Sequence, residues 1–249
     1  GHQYLFLHRD FNFPPSSSPM ELFFLRFFTH LTAMGAVRRL ALSFYPLDAD
    51  DEAGVEVVPP LIRREVRRQQ PEQGDYILGY LLNGGCAAEV EAWHRAHPAQ
   101  PLHFFWDKKD APERLECAPG LDMHRINDTL FIQYMAGCRA YSTTAGFESV
   151  CEAAYLRKPV VMIPVHVEQE CNAWDAMQAG GGIVASAFDL DGLLGFIPEY
   201  CPDEKFRDWA DGAEGRIYAV LKQIAAEQPD LSGLSYFQWL RYKLSYSFW

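Results

Sequence analysis

The stretch Ser142-Thr143-Thr144-Ala145-Gly146-Phe147-Glu148-Ser149-Val150-Cys151-Glu152 joins an apolar run to a helical repeat through small residues alone. Arg139 to Thr143 reads as a strand and Phe147 to Leu156 as a helix. A strand therefore hands directly to a helix at Thr143-Thr144-Ala145-Gly146. Small side chains let a ligand approach the backbone, and the first free N–H groups of the helix point at it. Any strand-to-helix turn can be small and polar, so the loop alone does not establish a ligand.

Outward from this turn the same alternation continues. Val160 to Ile163 reads as a strand, Glu170 to Ala179 as a helix and Ile183 to Ala185 as a short strand, and Asp189 caps a further helix. In the other direction, Leu102 to Trp106 is a strand. Tyr76 to Leu82 is an apolar run ending in Asn83-Gly84-Gly85, and Cys86 to His97 is a helix. Short apolar strands without clean alternation are what a parallel sheet buried on both faces gives. The fold expected is α/β, a doubly wound, Rossmann-like parallel sheet with flanking helical segments.

The flanks differ from this middle. Ser18-Pro19 starts a helix from Met20 to Ala33, which stops at Gly35. Strands follow at Arg39 to Tyr45 and Val55 to Val58, closed by Pro59-Pro60. From about Asp203 the tail reads as two helices joined at Pro229 to Gly233, the last one aromatic on several faces.

With 49% apolar and 14% aromatic residues, the 249-residue chain can bury a substantial core. Its formal charge of −11 repels polyphosphate at long range and argues against a nucleic-acid partner. None of the six cysteines forms a C-x-x-C pair, and Cys138, Cys151 and Cys171 read as buried thiols of a cytoplasmic protein. No stretch approaches the roughly 18 unbroken apolar residues of a membrane span. Peripheral association with the inner membrane surface stays open.

Several side chains have two readings each. Glu148 and Glu152 lie four apart on one helix face, either a solvated acidic face or, for Glu152, a bidentate acceptor for a ribose diol. Glu168-Gln169, read in the loop after Pro164, offer acceptors and donors for sugar hydroxyls; neighbouring His166 is ligand-facing or merely exposed. Asn172 reads as a capping or backbone partner. Asp48 to Glu52 reads as a solvated turn rather than a metal site, and Asp189-Leu190-Asp191 as a helix cap rather than a metal-binding D-x-D.

Taken together, Gly146-Phe147-Glu148-Ser149-Val150-Cys151-Glu152-Ala153 and Pro164-Val165-His166-Val167-Glu168-Gln169-Glu170-Cys171-Asn172-Ala173 resemble the donor-site pattern of GT-B glycosyltransferases. The likeness points to the branch that includes the peptidoglycan N-acetylglucosaminyltransferase (family 28 C-terminal-like). His2-Gln3 and Pro59-Pro60-Leu61-Ile62-Arg63 resemble segments of that branch more weakly. The family's Asp-Gln is Glu168-Gln169 here, and the loop Asn83-Gly84-Gly85-Cys86 lacks the longer Gly-Ser-rich form.

The resemblance implies that Glu152 holds the ribose hydroxyls and that Thr144, Gly146 and Ser149 sit at the diphosphate. Glu168 and Gln169 would face the sugar. His124-Arg125-Ile126-Asn127 would lie against the base through backbone groups and the Ile126 side chain. Asn83 and Gly84 would line the cleft. Arg63 would be a phosphate partner, although its run with Arg64, Arg67 and Arg68 reads rather as a solvated basic helix face. Residues 1–58 would close a truncated acceptor-side domain, 59–200 would bind the nucleotide sugar, and 201–249 would form helices packing back toward the N-terminal side.

The expected activity of the whole protein is metal-independent, inverting sugar transfer from a UDP sugar to an unidentified glycan, lipid-linked or small-molecule acceptor. The general base would lie outside this chain, leaving the fragment inactive, and no cofactor would be needed. A nucleotide-sugar 2-epimerase and a non-catalytic nucleotide-sugar-binding subunit are the alternatives. The Phe-rich start, with Phe6, Phe11, Phe13, Phe23, Phe24, Phe27 and Phe28, and the aromatic tail would be surfaces for a missing domain and would promote self-association.

Overall fold

The computed structural model describes residues 1–81 and 87–227. The chain divides into two compact units: Ile62–Arg207, and Gly1–Leu61 together with the described residues from Asp208 onward.

The larger unit is built on a seven-stranded sheet. After the short helix α2 (Arg64–Arg67) come β3 (Ile77–Leu81), α3 (Ala87–Ala96), β4 (Leu102–Trp106), β5 (Arg114–Ala118) and β6 (Leu121–Arg125). Then follow α4 (Asp128–Gly137), β7 (Ala140–Thr143), α5 (Phe147–Tyr155), β8 (Val160–Met162), α6 (Val167–Gln178), β9 (Gly182–Val184) and α7 (Leu190–Phe196). The sheet order is β5-β6-β4-β3-β7-β8-β9. Every pairing is parallel except β5 with β6.

The chain leaves β3 toward β4 and β6, then returns to its other side as β7. The order thus reverses between β3 and β7, where ligands bind in doubly wound sheets. Period-2 alternation divides the side chains between two faces. Ile77, Leu81, Leu102, Phe104, Leu121, Met123 and Ala140 face one core, with Val90 of α3 and Leu190 and Leu193 of α7. Tyr80, Phe105, His124 and Tyr141 face the other side, where rings from α4 meet them. Gly79 is required by close approach: a Cβ there would lie 2.0 Å from the Phe104 ring.

In this unit and the tail the structure departs from the sequence reading at several points. The hairpin of β5 and β6 was not foreseen; its turn is Pro119-Gly120, with Gly120 at φ +84°. α6 begins at Val167, so Glu168 and Gln169 lie in its first turn and not in the preceding loop. In the tail, α8 (Glu204–Asp211) and α9 (Ala213–Glu227) break at Gly212. The helix expected after Gly233 lies outside the described residues.

In the smaller unit a 3-10 helix (His2–Leu7) and α1 (Pro19–Thr32) precede the parallel pair β1 (Arg39–Leu42) and β2 (Val55–Val58). α9 packs against β2, and Trp209 Nε1 donates to the Ser43 carbonyl at 2.9 Å. The phenylalanines do not act as one surface. Phe6 and Phe11 are buried and cluster with Phe13 at 4.8–6.3 Å, whereas Phe23, Phe24, Phe27 and Phe28 of α1 are exposed. The acidic turn is no solvated loop at Asp50. Its buried carboxylate accepts from Arg9 N at 2.8 Å, Arg9 Nη2 at 2.7 Å and Ala53 N at 3.2 Å.

Candidate donor site at the sheet's switch point

The turn from β7 into α5 is held in an uncommon conformation. Ala145 has φ +65° and is fully buried, a combination an L-residue adopts only when its surroundings impose it. Asn172 of α6 supplies part of that constraint, donating from Nδ2 to the Ala145 carbonyl at 3.3 Å. Gly146 is the N-cap of α5 and offers no side-chain oxygen to the first turn. The free N–H groups and the positive end of the helix dipole are therefore left for an anion. Ser149 Oγ donates to the Gly146 carbonyl at 3.1 Å and must rotate to serve a ligand.

A cavity of about 380 Å³ opens beside this turn, at the carboxyl ends of β3, β4 and β7. Its polar and small lining residues are Arg63, Asp128, Thr143, Thr144, Gly146, Ser149 and Gln169; Tyr80, Phe105, Ile126, Phe131 and Tyr141 supply its aromatic and apolar wall. The wall rings are mutually packed, with Phe131 5.9 Å from Tyr80, 5.2 Å from Phe105 and 5.9 Å from Tyr141. Burial pushes the Tyr141 phenol well above its ordinary range, so it enters as a neutral hydroxyl. Gln169 accepts the Val165 N–H on Oε1 at 3.0 Å, which fixes its orientation.

Arg63 and Glu152 meet as a fork. Nε donates to Oε1 at 2.6 Å and Nη2 to Oε2 at 2.7 Å. The Glu152 side chain is 3% exposed and the Arg63 side chain 40%. The hydrogen bond to Glu152 raises the Arg63 pKa against the cost of burial; Glu152 and Asp128 add electrostatically. Arg63 therefore stays cationic, partly exposed and with its guanidinium engaged by Glu152.

Residues 12–198 match the model of the family described as glycosyl transferase family 1. The chain belongs to glycosyl transferase family 1. Solved structures agree on the fold. This family 1 chain is similar to the glycotransferase of kitacinnamycin, with 19% identity and a TM-score of 0.52, covering 78% of this chain and 55% of that one. It is similar to the spinosyn forosaminyltransferase SpnP, with 15% identity and a TM-score of 0.52, covering 89% and 66%. The Phytolacca americana UGT2 structure, complexed with UDP-2fluoro-glucose and pterostilbene, has 15% identity and a TM-score of 0.53, covering 84% and 57%. The chain thus spans between 55% and 66% of the length of these structures. No curated protein matches it. The GT-B-type α/β fold expected from the sequence is the fold observed.

Of the sequence-derived candidates, the family 1 site brings together Arg63, Ile126, Thr144, Gly146, Ser149 and Gln169. Glu152 reaches it only through Arg63. Glu168, though adjacent to Gln169, is not among the residues lining the cavity. Asn83 and Gly84 lie outside the described residues. Beside Ile126 the expected base segment divides: Asn127 caps α4 by accepting from Leu130 N at 2.9 Å, and His124 is buried under α4. Sequence reasoning missed Tyr80, Phe105, Phe131 and Tyr141, whose common face follows from strand register.

Beneath the family 1 cavity, His103, Asp122 and His124 hold potential metal-ligand atoms within 4.8 Å of one another. These groups already satisfy each other. Arg114 closes both oxygens of Asp122 at 2.8 and 3.0 Å, and His103 Nδ1 lies 3.1 Å from His124 Nε2. Burial lowers both imidazole pKa values, that of His124 to about 4, so the rings are neutral partners in a hydrogen-bonded network. In the D-x-D segment, Asp189 accepts from Gly192 N at 2.7 Å as a helix cap, and Asp191 lies 3.3 Å from His97. The thiols of Cys138, Cys151 and Cys171 are buried and free. Among the described residues no helix is long and apolar enough to cross a membrane.

Proposed function

We propose that the cavity at the β3/β7 switch point binds a nucleoside diphosphate sugar, with a UDP sugar as the first candidate. The observation that carries this reading is that Thr144, Gly146 and Ser149 at the α5 N-terminus, together with Arg63, line one cavity with Tyr80, Phe105, Phe131 and Tyr141. The first set suits a diphosphate, the aromatic set a planar base, and Gln169 offers a donor to an attached sugar. The UDP-2fluoro-glucose in the Phytolacca structure supports uracil as the base to test first.

In the whole protein this site would present the donor for transfer to an acceptor held elsewhere. The proposal includes inversion by direct displacement, with a general base contributed by the acceptor side. Negative charge developing on the departing diphosphate would be stabilised by the α5 amides, the Thr144 and Ser149 hydroxyls and the Arg63 guanidinium. No metal is required in this scheme.

Calorimetry with UDP, GDP and CDP, and with their sugar derivatives, tests the reading on the 249-residue chain. One base should be preferred, and Ser149→Ala or Thr144→Val should weaken its diphosphate more than its nucleoside. If none of the nucleotides binds, the reading fails.

A further inference from the structure

We infer that the Arg63–Glu152 pair is an exchange latch, which admits ligands carrying both a diphosphate and a vicinal diol and disfavours nucleosides that carry the diol alone. The inference rests on the reading of the cavity as a nucleotide-sugar site and specifies how that site selects.

The two partners are unequal. Glu152 sits on α5, 3% exposed, with both oxygens closed by the guanidinium at 2.6 and 2.7 Å. Arg63 lies outside α2 at its N-cap, in extended backbone (φ −55°, ψ 141°), with a side chain 40% exposed and lining the cavity. Glu152 is therefore fixed, and Arg63 is the member that can leave.

A ribose diol can donate two hydrogen bonds to a carboxylate, but here it must first displace a fork of two charge-assisted bonds. A nucleoside offers the freed guanidinium nothing in return. The buried carboxylate would exchange a cation for two neutral hydroxyls, and Arg63 would be left near Asp128 alone among the charged cavity residues. A nucleoside diphosphate changes this balance. Its phosphate oxygens match the guanidinium fork, and Thr144, Gly146 and Ser149 line the same cavity as Arg63. The diphosphate takes the guanidinium, the diol takes the carboxylate, and each charge keeps a partner in both states. Arg63 is thus a specificity residue that lowers affinity for one ligand class and raises it for another.

That opposition of signs is the test. Calorimetry measures the preferred nucleoside diphosphate and its matched nucleoside against wild type, Arg63→Ala and Arg63→Lys, each checked for folding by circular dichroism. In Arg63→Ala the nucleoside should bind at least ten-fold tighter and the diphosphate at least ten-fold weaker. Arg63→Lys keeps the charge but loses the fork, and it should move both affinities in the same directions by less; it carries the test if the alanine variant does not fold. If the wild type binds the diphosphate but the nucleoside gains nothing from either variant, the pair is a fixed structural contact and the latch is overturned, while the donor-site reading stands. If the wild type binds no nucleoside diphosphate, the donor-site reading falls and the latch falls with it.

Discussion

Asn172 holds Ala145 by a hydrogen bond from its Nδ2 to the Ala145 carbonyl across 3.3 Å, joining the first half of α6 to the strained turn before α5. Loss of this donor leaves a buried carbonyl unsatisfied at the residue with φ +65°. Asn172→Ala should destabilise the chain by about 1–2 kcal/mol, the usual cost of an orphaned buried polar group. The same change should also weaken nucleotide binding, because the turn that aims the α5 amides is no longer fixed. A melting temperature and nucleotide affinity both indistinguishable from wild type would show that the strain is held by packing alone.

Gly79 offers a separate check on the sheet. A methyl group there would meet three atoms of the Phe104 ring at 2.0–2.4 Å, so Gly79→Ala forces that ring from its place. Overpacking of this kind costs about 1–3 kcal/mol. Phe104→Leu should recover part of the loss in the double variant, although alone it is destabilising. Chemical denaturation of the four variants measures the coupling, and strictly additive effects would contradict the contact.

How much of this was legible in sequence depends on the range of the interaction. The β7–α5 and β8–α6 units were readable because an apolar run, a Gly or Pro and a helical repeat are all local signals. The edge strand β5 was not, because its side chains from Arg114 to Cys117 are exposed and carry no apolar pattern. Pro119-Gly120 and the alternation Leu121-Asp122-Met123-His124 were available signals for the hairpin. The start of α6 carries no cap signal, because His166 stands at the N-cap, where Ser, Thr, Asp or Asn would mark it. Arg63 and Glu152 are 89 residues apart, and no local signal pairs them. The aromatic wall likewise needed the register that aligns Leu102 with Ile77 and Ile77 with Ala140.

Acid should act on the smaller unit through Asp50. Burial opposes its charge, but the hydrogen bonds from Arg9 and from the Ala53 N–H outweigh that cost and bring its pKa from 3.8 to about 2. Because the folded value lies below the unfolded one, the contribution is fully present above about pH 4. It is lost as pH falls from there through 2. Asp50→Asn should lower stability at neutral pH and flatten its dependence between those limits. Thermal melts of both proteins from pH 2 to 7 measure this, and parallel profiles would remove Asp50 from the acid response.

Glu168 and Gln169 are neighbours with different prospects. Gln169 is buried, accepts the Val165 N–H on Oε1 and lines the cavity, which leaves its Nε2 group to serve a ligand. Glu168 is half-buried and takes no part in that lining. Gln169→Ala should therefore weaken binding of the nucleotide sugar about ten-fold, the equivalent of one hydrogen bond of about 1.4 kcal/mol. The nucleoside diphosphate itself should lose less, because the deleted donor serves the sugar. Glu168→Ala should leave both affinities within about two-fold, since a side chain outside the cavity forfeits no hydrogen bond to the ligand. Calorimetry on the two variants with the sugar nucleotide and the free diphosphate separates the roles. A larger loss at Glu168 than at Gln169 would mean that α6 turns its first residues on binding, and that the carboxylate reads the sugar.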